Sequence, residues 1–446
     1  MNTCIKLIFA FYIFIKYARC QGDQIINEKL TNFVFLSCNY QKGKVNNTLL
    51  NSIEKRKPQL MLWIGDYFYT DCSEIKCLDD AYTYIKKDPF YMKLKKKFKI
   101  DGIYDDHDYN KNNGDRLYKY KKESKKKYLD YLNIDKNDIR YKRNGAYVSK
   151  LYIDPNNENN QVKIIMLDTR YNKDPYPFYA PDSYKDLFFH MFISFLSRFH
   201  SSIFGLCCNS KNDILGNEQW KWLEKELTNS KARAHIIISS TQIFSNHIIN
   251  ENWGLMPYSL KRLRELIKKT KPKGLLFLSG DVHFGSIIGN EESVIEVTSS
   301  SVNQENIFSY INKYVIFFLT NLLSKVSPFE LNKIYSFNNF GSVNITYVND
   351  NEIKIKTSIN DSDGVEILVA NQVFNNKNNI YTKRKDLHII LDEFATLECK
   401  SKTKVVMHTI VYILFLLWFL QILYIFLKVI GSLFRRKKIH TKTKDE

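Results

Sequence analysis

The sequence predicts a mixed α/β fold with a metal site at the edge of its sheets, and two observations support this prediction. Apolar runs typical of buried strands alternate with segments whose apolar residues recur at helical spacing, which is the pattern of a layered α/β domain. Several apolar runs end abruptly in acidic residues, at Asp66, at Asp105-Asp106-His107-Asp108 and at Asp281 with His283. Open α/β sheets place their chemistry at such strand ends. We therefore expect these side chains to meet at one sheet edge.

The predicted elements follow one another in a regular order. Strands of the core are predicted at residues 33–37, 60–64, 162–167, 235–239, 275–278 and 294–297. Helices are predicted at residues 46–57, 79–99, 217–227 and 258–269. After about Gly341, shorter strands alternate with turns rich in Asn, Asp and Gly, at residues 342–348, 352–358, 365–370 and 387–391. We expect these last strands to complete a second sheet that packs on the first.

Both ends of the chain predict a membrane protein of the secretory pathway. Residues 1–20 have Lys6 near the start, an apolar stretch and small residues up to Cys20, which predicts a signal peptide; an uncleaved signal anchor is the alternative. Residues 405–431 are apolar and exceed the roughly 20 residues that cross a bilayer. The basic run 435–438 places the tail, residues 432–446, in the cytosol. The expected arrangement is type I, with a lumenal or extracellular domain over residues 21–399 and a linker at 400–404.

The formal net charge of +19 would ordinarily suggest a nucleic acid partner. The lysines are spread among many asparagines, however, and the lysine-rich runs 93–99 and 119–127 are typical of solvated helix faces. A specific nucleic acid partner is therefore disfavoured. Phosphorylated small molecules or phospholipid head groups suit this charge better.

The cysteines and sequons fit an oxidising compartment. Cys72 and Cys77 are close enough in sequence to form a small disulfide loop. Three Asn residues lie in sequons that could carry glycans: Asn46, Asn344 and Asn360.

Two strongly apolar insertions, at about residues 187–208 and 307–335, do not fit the strand and helix pattern. They either bury their faces against each other or form an amphipathic lid or membrane-surface patch.

The motifs carry a family resemblance. They are Ser37-Cys38-Asn39, Trp63-x-Gly65-Asp66-x-x-Tyr69, Asp105-Asp106-His107-Asp108, Leu167-Asp168-x-Arg170 and Ser279-Gly280-Asp281-Val282-His283. In this order, over residues 32–297, the set resembles the PhoD-type alkaline phosphatases of the metallophosphatase superfamily, which includes the calcineurin-like and purple acid phosphatases. The resemblance implies a four-layer α/β/β/α sandwich, two metal ions and hydrolysis of phosphoesters.

The candidate metal ligands divide into two sets that share Asp66, whose carboxylate has two oxygens and can bridge two cations. The first set is Cys38, Asp66, Tyr69 and His283, and its sulfur, phenolate and imidazole groups suit iron. The second set is Asp66, Asp106 and Asp281, whose hard oxygen ligands suit calcium or magnesium. The resemblance likewise favours Fe³⁺ with Ca²⁺, and Mg²⁺, Mn²⁺ or Zn²⁺ are alternatives. Taken alone, Cys38 could be a buried thiol and Tyr69 a core tyrosine.

The remaining candidates would act on the substrate. His107 would stabilise the transition state or protonate the leaving group, oriented by Asp108. Arg170 is a candidate phosphate clamp, with a structural ion pair to Asp168 as the alternative. Asn110 and Asn113 could hydrogen-bond the substrate.

These features predict a membrane-anchored, metal-dependent phosphoesterase in which metal-bound hydroxide attacks phosphomonoesters, with diesters as a second substrate class. Two alternatives remain open at this stage. One is a catalytically silent scaffold at a membrane, and the other is a phospholipid-directed phosphodiesterase.

Overall fold

The computed structural model describes residues 23–41, 43, 47–70, 74–176, 193, 197, 198, 211–245, 250–289, 296–303 and 333–375, with scattered helical positions between 406 and 428. The strands, in chain order, are β1 (Gln24–Ile26), β2 (Asn32–Leu36), β3 (Met61–Ile64), β4 (Ile100–Ile103), β5 (Val148–Asp154), β6 (Asn157–Met166), β7 (Ala234–Ile238), β8 (Leu275–Ser279), β9 (Gly285–Ile288), β10 (Glu296–Thr298), β11 (Lys333–Tyr335), β12 (Asn339–Tyr347), β13 (Glu352–Asp361) and β14 (Glu366–Asn375). The helices are α1 (Asn47–Arg56), α2 (Ile75–Lys87), α3 (Pro89–Lys97), α4 (Lys121–Tyr131), α5 (Ile139–Lys142), α6 (Gly216–Leu227) and α7 (Pro257–Thr270), with a 3₁₀ turn at Trp253–Leu255.

Two mixed sheets form the centre of the fold. The larger has eight strands in the order β1-β5-β6-β7-β8-β10-β9-β11, and the smaller has six in the order β14-β13-β12-β2-β3-β4. Neighbouring strands from β6 to β10 in the larger sheet run parallel, as do β2, β3 and β4 in the smaller. The carboxyl ends of each parallel set therefore lie along one edge of its sheet.

The strands of the larger sheet are apolar on both faces because each face packs on a different partner. On β6, Ile164 and Met166 belong to a core cluster that also includes Phe35 and Leu62 of the smaller sheet. Ile165, between them, belongs to a second cluster with residues of α6 and α7. This explains why consecutive residues of such strands are apolar, as in Ile164, Ile165 and Met166, since strands buried on both sides need apolar residues on both faces.

Most predicted elements are found, and the exceptions have local causes. The single helix predicted at residues 79–99 is wrong: α2 ends before Asp88, whose backbone is extended, and α3 begins at Pro89. A proline disfavours helical backbone in the residue before it, so the helix breaks there. The strands after Gly341 do complete a second sheet, in which β12 pairs antiparallel with β2.

Cys77 is disulfide-bonded, and its partner lies outside the described residues, so the pairing with Cys72 stays a prediction. Asn360 is fully buried and its side-chain amide donates to the carbonyl oxygen of Phe340. The sequon at Asn360 is therefore inaccessible to glycosylation in the folded protein. Asn344 lies on β12 and is partly exposed, and Asn46 is outside the described residues.

The chain divides into two compact units, Met1–Glu398 and Cys399–Glu446. Among the residues that the structure describes, no helix has both the length and the apolar character that a membrane span requires. Several sequence predictions fall mainly or wholly outside the described residues. They are the signal peptide at 1–20, the two apolar insertions, the strand at 387–391, the linker, most of the segment 405–431 and the basic tail.

Candidate metal centre

The carboxyl ends of strands from both sheets meet at one place. Ser37, directly after β2, donates its hydroxyl to the carbonyl oxygen of Ser299, directly after β10, over 3.0 Å. The Cys38 Sγ atom lies 3.0 Å from the Ser300 hydroxyl oxygen. These contacts join the two sheet edges, so residues that follow β2, β3, β4 and β8 can share one site.

The backbone at this junction is unusual. Four candidate ligands have left-handed backbone, with φ of 58° at Cys38, 49° at Asp66, 74° at Asp281 and 59° at His283. Residues other than glycine rarely adopt this conformation, and it costs about 1–3 kcal/mol at each position. Strained residues persist only where the surrounding structure holds them in place, and they are found most often at functional sites. Here all four strained residues lie in the loops that follow β2, β3 and β8.

The first candidate ligand group consists of Cys38, Asp66 and His283, whose donor atoms all lie within 4.8 Å of one another. Tyr69 closes the group, because its hydroxyl donates to Asp66 Oδ2 over 3.2 Å and lies 3.0 Å from His283 Nε2. Ser300 fixes the loop by accepting the backbone N–H of His283 at 2.8 Å. Sulfur, nitrogen and oxygen donors thus surround one point.

A second group contains four carboxylates, again with donor atoms within 4.8 Å of one another: Asp66, Asp105, Asp106 and Asp281. Asp66 belongs to both groups, as a bridging ligand would. His107 also falls within the same distance of Asp66 and Asp106, and its ring lies 4.1 Å from that of Tyr69. A metal-ligand role for His107 is therefore open beside the acid role expected from the sequence.

The electrostatics of the site disfavour the charged forms of several of these side chains. Burial, and then repulsion from Asp106, raises the pKa of Asp66 well above its ordinary value. Burial and the neighbouring Asp105 do the same to the pKa of Asp281. Burial and the Asp66 charge raise the pKa of the Cys38 thiol. Buried carboxylates of like charge are unfavourable unless a cation compensates them, so the site as a whole fits metal ions.

Arg170 lies beneath the acids and differs from the sequence prediction. Its side chain is fully buried, its Nε atom donates to Asp105, and its Nη1 atom donates to Glu251 Oε2 over 2.8 Å. The predicted alternative, a side-chain ion pair with Asp168, is wrong, because Asp168 instead accepts the backbone N–H of Arg170. Burial would raise the pKa of Glu251, but Arg170 and Lys173 hold it below its ordinary value. These contacts give Arg170 a positioning role toward Asp105.

The residues expected to bind the substrate lie close to the candidate metal ligands, but several of them form hydrogen bonds to other groups of the protein. Asp108 accepts the backbone N–H groups of Tyr67 and Asp105, and these bonds hold the loops that carry Asp66 and Asp106. Asn110 donates to the carbonyl oxygen of Glu74 and to the hydroxyl of Tyr118. The backbone N–H of Asn113 donates to Asp106 Oδ2 over 2.6 Å.

Two residues of the site have no role in the sequence predictions: Asp105, which was expected at the sheet edge but not as a ligand, and Glu251, which was not singled out. Asp105 stands in the motif Asp105-Asp106-His107-Asp108, and its position two residues after the end of β4 was the available signal. Its carboxylate also accepts the Ser240 hydroxyl over 2.7 Å, which ties the two sheets together. Glu251 had no such signal, because it lies outside any strand or helix of the described residues.

Comparisons with known proteins agree with this site. The family model for PhoD-like phosphatase matches residues 33–352, which is more than half of the chain. The solved structure of PhoD is similar, with 15% identity, 84% of this chain and 78% of that chain covered, and a TM-score of 0.51; this likeness shows the fold. A dimetal phosphatase from Danio rerio is also similar, with 12% identity, 77% of this chain and 99% of that chain covered, and a TM-score of 0.40. No curated protein matches the chain.

Proposed function

We propose that this chain, which belongs to the PhoD-like phosphatase family and is a metal-dependent hydrolase acting on phosphoric ester bonds, releases phosphate from phosphomonoesters at the centre around Asp66. The observation that carries the proposal is the convergence of four carboxylates, three buried and Asp281 partly buried, whose oxygens lie within 4.8 Å of one another. Without bound cations this arrangement would be strongly unfavourable. A catalytically silent scaffold would have no use for this charge or for the backbone strain that supports it.

The donor chemistry supports a mixed pair of metals. Cys38, Tyr69, His283 and Asp66 would hold a transition metal, for which we propose Fe³⁺. Asp66, Asp106 and Asp281, with Asp105 beside them, offer oxygen donors alone and suit Ca²⁺. When bound, such ions neutralise charge on a phosphoryl group and lower the pKa of a water molecule.

The protein groups around this centre have separate tasks. We assign His107 to the leaving group, because it is partly exposed and its backbone N–H donates to Asp66 Oδ1 over 3.3 Å. Asp108 supports the loop through its two backbone contacts. These contacts hold the loop in which His107 lies next to the acids. We assign Asp108 no direct role in proton transfer.

We retain the type I membrane arrangement and the four-layer sandwich as proposals. The described positions between 406 and 428 are helical, and their large apolar side chains are exposed, for example Leu414 at 61% and Trp418 at 58%. Exposed apolar side chains on a helix are typical of a segment that meets lipid. Together with the signal peptide predicted at residues 1–20, this supports a lumenal or extracellular catalytic unit.

The test is a phosphate-release assay with p-nitrophenyl phosphate, comparing the parent chain with Asp66→Asn. We expect at least a 10³-fold loss, because both ligand groups lose their shared carboxylate. Asp130→Asn is the matched control, since Asp130 is bound by Lys136 at the surface. A parent protein that is inactive with every metal pair would refute the proposal.

A further inference from the structure

Three buried hydrogen-bond donors near the metal centre lack acceptors among the described residues. They are Arg170 Nη2, Asn113 Nδ2 and Arg198 Nε. Buried donors almost always have a hydrogen-bond acceptor. A set of buried donors without one, beside a candidate active site, therefore indicates that a ligand with acceptor atoms binds there. Three cationic or amide donors together favour an anion with several oxygens.

The three donors belong to connected side chains. Arg198 Nη1 donates to Asn113 Oδ1 over 2.6 Å, and the Asn113 backbone N–H donates to the candidate ligand Asp106 over the same distance. Arg198 also acts on Glu251, the residue that Arg170 binds, since it helps to lower the pKa of Glu251 after the larger effects of burial, Arg170 and Lys173. Arg198 is therefore linked to Asp106 through Asn113, and Arg170 is bound directly to Asp105.

Among the described residues no acid forms an ion pair with Arg198, and Glu251, the acid on which it acts, is shared with two other cations. Glu251 is bound by Arg170 and Lys173, each at 2.8 Å, and Arg170 also pairs with Asp105. The described hydrogen bond of Arg198 goes to the neutral amide of Asn113. A partly buried guanidinium of this kind is well suited to bind a phosphoryl group, whose oxygens match its fork geometry.

We propose that Arg198 is a substrate-binding residue that contacts a terminal phosphoryl oxygen and makes the site selective for phosphomonoesters over phosphodiesters. The inference rests on the proposed phosphatase function and deepens it. A monoester offers three terminal oxygens and up to two negative charges, whereas a diester offers two oxygens and one charge. An added guanidinium therefore favours the monoester. Asn113 positions Arg198 and links it to the metal ligand Asp106.

The kinetic test compares Arg198→Ala and Arg198→Lys with the metal-loaded full chain, using p-nitrophenyl phosphate and bis(p-nitrophenyl) phosphate. We expect Arg198→Ala to lower kcat/KM for the monoester by about 10- to 100-fold, as for loss of a charged hydrogen bond, and for the diester by less than about 5-fold. Arg198→Lys should fall between, because it keeps the charge and loses the fork. Arg56→Ala is the matched control, since Arg56 is a partly buried arginine bound to Asn360, at the end of α1.

Calorimetric titration with inorganic phosphate gives a second readout that needs no turnover. We expect about 10-fold weaker phosphate binding by Arg198→Ala at unchanged metal content. If the alanine variant loses its metals or does not fold, the same comparisons on Arg198→Lys decide. If the parent is active, two results would overturn the role of Arg198: an equal loss of kcat/KM on both esters in Arg198→Ala, or a phosphate affinity of Arg198→Ala equal to that of the parent. Either result would indicate that the donors of Arg198 bind water. A parent that hydrolyses neither ester would instead overturn the proposed function.

Discussion

At the scale of single residues, the site depends on glycines that let loops approach closely. A Cβ atom on Gly65 would lie 2.7 Å from Asp105 Cβ and 3.1 Å from Ser240 Cβ, and the backbone there has φ of +111°. Only glycine adopts this conformation without strain. The loops after β3, β4 and β7 can meet because that side chain is missing.

Gly65→Ala should therefore push Asp66 and Asp105 apart. We expect at least a 10-fold loss of activity together with reduced metal content, measured by elemental analysis. Gly364→Ala is the matched control, because Gly364 also has positive φ, +84°, and its added Cβ would meet Ser52 at 3.0 Å. The control should lose stability and keep its metals. Full metal occupancy in Gly65→Ala would show that the close approach is not required.

The buried charges under the site make a second residue-level prediction. Glu251→Gln leaves Arg170 and Lys173 facing each other without their shared carboxylate, and removal of one partner from a buried ion pair typically costs about 3–5 kcal/mol. Urea unfolding should detect this loss. Glu265→Gln is the control, since its pairing with Lys261 is exposed and should change stability little. An unchanged midpoint for Glu251→Gln would exclude a structural role for the network.

Residues that follow predicted strands were foreseeable, and residues brought in by loops were not. Cys38, Asp66, Asp106, Asp281 and His283 follow strand ends, so their convergence could be predicted from sequence, and the structure brings them together. Glu251 and Arg198 reach the site through tertiary packing that no local pattern encodes.

At the scale of elements, apolar runs predicted the parallel strands well because those strands are buried on both faces. The family assignment and the mixed α/β class were likewise predictable and are confirmed. The short strand β1 was missed, since its three residues carry too little pattern, although it pairs in register with β5. The alternation of apolar and polar residues along a strand does not show which sheet the strand joins. For example, β12 pairs with β2, which lies about 300 residues earlier in the chain.

His235 on β7 gives an element-scale prediction of pH dependence. Burial lowers its pKa from 6.5 to about 4, against the opposing effect of the Lys273 carbonyl oxygen, which lies 2.6 Å from Nδ1. The unfolded chain therefore takes up a proton first as the pH falls, so this residue contributes stability above about pH 6.5 that is lost toward pH 4.

Between pH 8 and pH 5 the loss from His235 amounts to about 2 kcal/mol. His235→Leu, which cannot take up that proton, should show a smaller decrease in the free energy of unfolding over this range by the same amount. Urea unfolding of both proteins at the two pH values is the measurement. Identical decreases in parent and variant would contradict the assignment.

At the scale of the whole molecule, the chain separates a catalytic unit from a C-terminal unit that begins at Cys399. A chain that ends at Glu398 should retain kcat/KM within about twofold, because every candidate site residue precedes that position. It should also move from the membrane pellet to the soluble fraction on centrifugation. Persistent membrane association of the shortened chain would contradict the proposed anchor.

In the proposed site, cations hold acids from distant strands together, and elemental analysis of protein purified without added metal tests for these cations directly. We predict about two metal equivalents per chain in the parent, in keeping with the two ligand groups. We also predict loss of both metals in Asp66→Ala, because this carboxylate belongs to both groups. A well-folded parent that contains no metal and takes up none from solution would contradict the central claim.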